Sequence, residues 1–124
     1  MKNILKVFAC FLMLFCLNAC DKDSESAINT PSISNNQIYF FYQNTCPHCH
    51  HAAQYIKQNH PGLKIVNVDV RTQNGYNLFL KCAQKFHLPK ETLGTPLICI
   101  GTHYIMGWSD KDAKQFDSYV THFN

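Results

Sequence analysis

The 124-residue chain predicts an α/β domain with a four-stranded mixed sheet flanked by three helices, in the order β-α-β-α-β-β-α. Three observations predict it. Short β-branched and aromatic runs alternate with segments of helical periodicity. The alternation opens with a strand–helix–strand unit, which requires a parallel pair joined by a crossover. It closes with two short runs separated only by Gly101-Thr102, which adds an antiparallel hairpin at one edge.

The first residues stand apart from this domain. Lys2 and Lys6 lie within a short positive region, and Val7 to Leu17 is an almost unbroken apolar run. That is the pattern of a secretory signal. The uncharged stretch from Val7 to Cys20 is shorter than the roughly 20 residues of a spanning helix, which argues against a retained anchor. The segment ends Leu17-Asn18-Ala19-Cys20, which resembles the lipobox of bacterial lipoproteins. The resemblance implies that residues 1–19 are removed and that Cys20 carries a lipid. The protein would then be attached to a membrane and face the periplasm. Asp21 after the cysteine implies, by the enterobacterial pattern, retention at the inner rather than the outer membrane. The alternative is an ordinary signal cut nearby, with Cys20 uninvolved.

Composition is that of a globular protein, 46% hydrophobic and 15% charged. The leader's two lysines account for two of the three net positive charges. No basic stripe with interleaved aromatics remains, which excludes nucleic acid as a partner. The seven histidines add positive charge as pH falls toward about 6.

Residues 20–36 hold the cysteine and then a Ser/Asn/Asp-rich stretch with Pro31 and two isolated isoleucines. Such a segment cannot bury enough apolar surface to offset its ordering, and it reads as a flexible tether. As a random coil it would span about 20–24 Å, enough to lift a domain off a membrane surface. Residues 37–124 form the domain.

Ile38 to Tyr42 is aromatic and β-branched and reads as a buried strand. Pro47 suits the first position of a helix. Ala52, Ala53 and Ile56 continue at helical spacing until Pro61-Gly62. Leu63 to Val70 reads as a second strand. Gln73 to His87 carries an apolar stripe of Leu78, Phe79, Cys82, Ala83 and Phe86, a helix closed by Pro89. Leu97 to Ile100 and His103 to Met106 are the hairpin strands. Asp110 to Phe123 is a last helix, with Phe116, Tyr119, Val120 and Phe123 on one face.

Chemistry concentrates in Cys46-Pro47-His48-Cys49. Two cysteines two residues apart at a helix start can close a small disulfide ring. The first then sits where exposed N–H groups and the helix dipole favour a thiolate. The thiolate is the attacking species in disulfide exchange, and a lowered pKa makes its sulfur a better leaving group. His48, turned toward Cys46, would stabilise the dithiol form and favour oxidising behaviour.

The segment Phe40 to Cys49 resembles the active-site region of the thioredoxin superfamily. The chain's size resembles glutaredoxins, and its Pro-His pair resembles periplasmic thiol oxidases of the DsbA type. The resemblance covers roughly Gln37 to Phe123. It implies a thioredoxin-like fold and a thiol–disulfide oxidoreductase that needs no cofactor beyond its own redox-active disulfide. It further implies that Thr95–Pro96, in Gly94-Thr95-Pro96, is a cis peptide facing the cysteines, where Thr95 pairs with a substrate strand. Gly107-Trp108-Ser109-Asp110 resembles the glutathione-holding segment of glutaredoxins. Gly107 and Asp110 match that pattern, and Met106 and Ser109 do not. The implied partners are protein thiols and disulfides or glutathione, with a further redox partner that recycles the pair. Direction of electron flow stays open.

Two other chemistries fit the same residues. Cys46-Pro47-His48-Cys49-His50 is literally a c-type haem attachment string, with Met106 as a conceivable distal ligand, although such proteins are largely helical. Cys46, Cys49, His48, His50 and His51 are soft ligands for copper or zinc. Helical spacing sends His50 and His51 to different faces, and no second pair completes a closed site. Solvated helix surface is the expected role of His50 and His51. Asp69 and Lys57 could assist proton transfer or be ordinary surface charges. Cys82 and Cys99 are expected as buried thiols, with a disulfide between them the alternative.

Overall fold

The computed structural model describes residues 32–123. The expected signal, Cys20 and most of the expected tether lie outside these residues.

The sheet contains β1 (Ile38–Tyr42), β2 (Ile65–Asp69), β3 (Leu97–Ile100) and β4 (His103–Met106), in spatial order β2-β1-β3-β4. β1 and β2 are parallel, with Ile38 opposite Ile65. β3 runs antiparallel to both β1 and β4. The helices are α1 (Pro47–Asn59), α2 (Gln73–Lys85) and α3 (Asp110–Tyr119). Element order and strand mixture are as the sequence predicts.

β1 is central and covered on both faces, which is why its sequence is apolar without alternation. Ile38 and Phe40 face the helices α1 and α3, packing with Ala52, Ile56 and Phe116. Tyr39 and Phe41 face α2, packing with Leu78, Phe79 and Cys82. β3 divides its residues in the same way, Ile98 and Ile100 to one core and Leu97 and Cys99 to the other. Pairing Phe41 with Leu97 puts the end of β1 beside the start of β3. That pole of the sheet carries the cysteine pair.

Thr72 caps α2: its hydroxyl accepts the Gly75 N–H at 3.0 Å and donates to the Asp69 carbonyl at 2.9 Å. Gly75 lies so close to the Asp69 carbonyl that a Cβ there would overlap it. Ser109 caps α3, accepting the Asp112 N–H at 3.4 Å and donating to its carboxylate at 2.6 Å.

Several boundaries differ from expectation. The second strand starts at Ile65 because the Leu63 N–H is taken by the His60 carbonyl in a turn. α2 stops at Lys85 in a Schellman closure: Leu88 N–H bonds to the Ala83 carbonyl at 2.9 Å and His87 N–H to the Gln84 carbonyl at 3.2 Å. His87 takes the left-handed conformation, φ +54°, that usually belongs to glycine. His87→Gly should therefore stabilise the domain by about 1 kcal/mol, read as a higher urea midpoint. The last helix is α-helical only to Tyr119 and tightens into a 3-10 turn over Val120–His122, a common way to satisfy terminal carbonyls. A second 3-10 turn, Lys90–Thr92, was not expected.

Ser32 to Asn36, the end of the expected tether, are seated on the domain. Ile33 packs against the α2-side core. The Tyr39 hydroxyl accepts the Ser34 N–H at 3.1 Å and donates to Gln37 at 2.7 Å. Lys85 donates to the Asn35 side chain and, at 2.6 Å, to the Gly101 carbonyl.

Candidate active site

Cys46 is the N-cap of α1 and Pro47 its first residue. The proline supplies the helical φ where no N–H partner is needed. Cys46 and Cys49 form a disulfide with Cα atoms 5.2 Å apart. They differ in access: Cys46 is half-buried, whereas Cys49 is 3% exposed and belongs to the α1-side core.

Two contacts on the Cys46 sulfur pull in opposite directions. The Cys49 N–H donates to it at 3.1 Å, and no acidic residue lies in the first turn of α1. Both features favour a thiolate. The Thr95 carbonyl oxygen lies 3.4 Å away, a span across which a reduced thiol donates, which favours the protonated form.

Thr95–Pro96 is cis, and Pro96 is fully buried. The Pro96 carbonyl accepts the Gly107 N–H at 2.8 Å. Gly107 has φ +88°, a conformation L side chains rarely adopt. Gly107 is thereby tied to the cis-proline loop, whose Thr95 carbonyl lies against Cys46. Asp110 is exposed at the first position of α3.

His48 is exposed, and its ring meets His51 edge-on at a 6.5 Å centroid distance. His50 is exposed, as expected of solvated helix surface, and its Nε2 lies 2.8 Å from the Asn44 carbonyl. That bond ties α1 to the loop before Cys46, and no local sequence signal announces it. The cysteine and histidine side chains therefore do not converge. Among the described residues, no three His, Cys, Asp or Glu side chains form a group that could hold a metal. Met106 packs against the α2-side core.

α1 is fixed from its far end by residues the sequence did not single out. Asp117 of α3 accepts from the Tyr55 hydroxyl at 2.7 Å and meets His60 Nε2 at 2.6 Å. The hydrogen bond to this carboxylate raises the Tyr55 phenol pKa above its ordinary value. Trp108 packs against both Tyr55 and Phe116. A cleft of about 350 Å³ flanks Cys49 on the β2 side, lined by Phe40, Tyr42, Gln43, Asn44, His50, Ala53 and Asn67.

Asp69 is committed elsewhere. Its carboxylate takes two bonds from the Arg71 guanidinium, at 3.0 and 2.7 Å, and one from the Arg71 N–H at 2.9 Å. These bonds hold its pKa down to about 2. A depressed carboxylate stabilises the fold fully above its unfolded pKa of about 4. That contribution is lost as pH falls through about 2. An NMR titration of the Asp69 carboxyl carbon should give a midpoint near 2, and Arg71→Ala should return it toward 3.8.

Cys82 and Cys99, expected as buried thiols, instead form a second disulfide with Cα atoms 6.5 Å apart. That separation lies within the roughly 4.4–6.8 Å a disulfide spans.

No protein-family model matches the chain, and no curated protein matches it in sequence. Among solved structures, a glutaredoxin from Archaeoglobus fulgidus superposes with a TM-score of 0.52 at 12% identity, over 68% of this chain and 86% of its own. The fold is thioredoxin-like. A buckwheat glutaredoxin solved with glutathione superposes with a TM-score of 0.47 at 17% identity, over 69% of this chain and 74% of its own. In the thioredoxin-like frame of this protein, a Cys-x-x-Cys disulfide opens the first helix opposite a cis-proline loop.

Proposed function

We propose that the protein exchanges disulfides with protein or small thiols outside the cytoplasmic membrane, using Cys46 and Cys49. One observation carries the reading: the half-buried Cys46 sits at the mouth of α1, its sulfur accepting the Cys49 N–H, with the Thr95 carbonyl 3.4 Å away.

In the oxidised form, a partner thiolate attacks the Cys46 sulfur. A mixed disulfide forms, the Cys46–Cys49 bond breaks, and Cys49 leaves as a thiolate that takes up a proton. A second partner thiolate then attacks the partner's sulfur in the mixed disulfide. Cys46 is released as a thiolate, the partner is left with a disulfide, and two electrons have passed to the pair. Run in reverse, the Cys46 thiolate opens a partner disulfide and Cys49 resolves the adduct. Pro47 presets the helix start, and His48, whose ring lies against His51 in the disulfide form, tunes the Cys46 pKa by turning toward the sulfur once the pair is reduced. Thr95 and Pro96 dock the substrate strand. Gly107 and Asp110 are the positions that would hold glutathione as a small partner, and a separate redox protein recycles the pair.

Support for the location comes from two directions. Residues 1–19 have the signal pattern, and the likeness of Leu17-Asn18-Ala19-Cys20 to a lipobox, followed by Asp21, supports a lipid on Cys20 at the inner membrane. The Cys82–Cys99 disulfide is of a kind that persists in oxidising compartments.

The test is to equilibrate the protein in graded glutathione buffers and read the two cysteines by alkylation mass shift. The expected result is a single two-electron transition. A poise near about −120 mV would mark a disulfide donor and one near about −270 mV a reductant. A pair that stays locked in one state across the whole series would refute the assignment.

A further inference from the structure

We propose that Cys82–Cys99 is a permanent cross-link, closed to thiol exchange in the folded domain, so that the described cysteines divide into one working pair and one inert pair. The inference rests on the packing of the domain and not on the function proposed for Cys46 and Cys49.

Exchange requires a thiolate to reach a sulfur of the disulfide. Cys82 is 0% and Cys99 1% exposed, and both lie in the α2-side core with Tyr39, Phe41 and Leu97. Cys99 is further enclosed by strands on both sides, paired with Tyr39 of β1 and Tyr104 of β4. Cys49 belongs to the core on the other face of the sheet, so the two disulfides do not share a cavity. Cys82 stands in the last turn of α2, and β3 begins directly after Pro96. The bond thus fastens the strand that follows the cis-proline loop to α2, whatever the state of the working pair. It forms once, as the chain folds. Two thiols then give two electrons and two protons to a disulfide donor, which leaves as a dithiol.

The test is site-resolved alkylation of the full chain, each cysteine being read on its own peptide. In guanidinium without reductant, Cys82 and Cys99 should stay unalkylated and appear as a linked peptide. In native buffer with dithiothreitol, Cys46 and Cys49 should label, with Cys82 and Cys99 slower by on the order of 10³-fold, because their exposure needs unfolding. In guanidinium with dithiothreitol, all four should label. Alkylation of Cys82 and Cys99 in the first arm would show free thiols. Labelling at the rate of Cys46 in the second would show an exchangeable pair. Either result overturns the proposal.

Discussion

Cys46→Ser should reduce disulfide exchange by at least about 10³-fold, to background, because a serine hydroxyl neither ionises near neutral pH nor forms a disulfide. Cys49→Ser should behave differently. Cys46 then still attacks, but nothing resolves the adduct, and the mixed disulfide accumulates. The asymmetry follows from position: Cys46 is the half-buried cap of α1, while Cys49 is in the core. Non-reducing electrophoresis with a disulfide-containing substrate reads both outcomes. A Cys46→Ser protein that keeps its activity, or a Cys49→Ser protein that never forms an adduct, would defeat the mechanism.

Cys82→Ala/Cys99→Ala should cost about 3 kcal/mol, the loop-closure contribution of a cross-link of this span. The two residues are separated by 17 positions. A small domain holds on the order of 5–10 kcal/mol in all, so the loss is a large share. With a urea m-value of about 1 kcal/mol/M the unfolding midpoint should fall by about 3 M. Wild-type protein unfolded in dithiothreitol should approach the variant's curve, since unfolding opens the bond to reductant. Equal midpoints for variant and wild type without reductant would show that the bond contributes nothing.

Much of this architecture could be read from local pattern. β1 announces itself because a central strand covered on both faces must be apolar throughout. The start of α1 is marked by Pro47, and α2 by its apolar stripe from Leu78 to Phe86, whereas the Thr72 cap comes from the structure alone. Other features depend on residues far apart in the chain and leave no local trace. Asp117 meets Tyr55 and His60 across some sixty positions. The Cys82–Cys99 bond depends on the height of α2 above β3, which spacing alone cannot supply. Helix ends were the least legible. His87 adopts a glycine's backbone conformation without being glycine, and the last turn tightens after Tyr119 without any breaker residue.

The Gly101 turn has a practical consequence. Asn35 and Phe123 both close on it, so the segment leading into β1 and the last described residue meet at one end of the sheet, while Cys46 lies beyond the other end of β1. A domain immobilised or fused through either end keeps its sulfur chemistry pointing away from the attachment. Reporter fusions and resin coupling at those ends should leave incoming partners unobstructed.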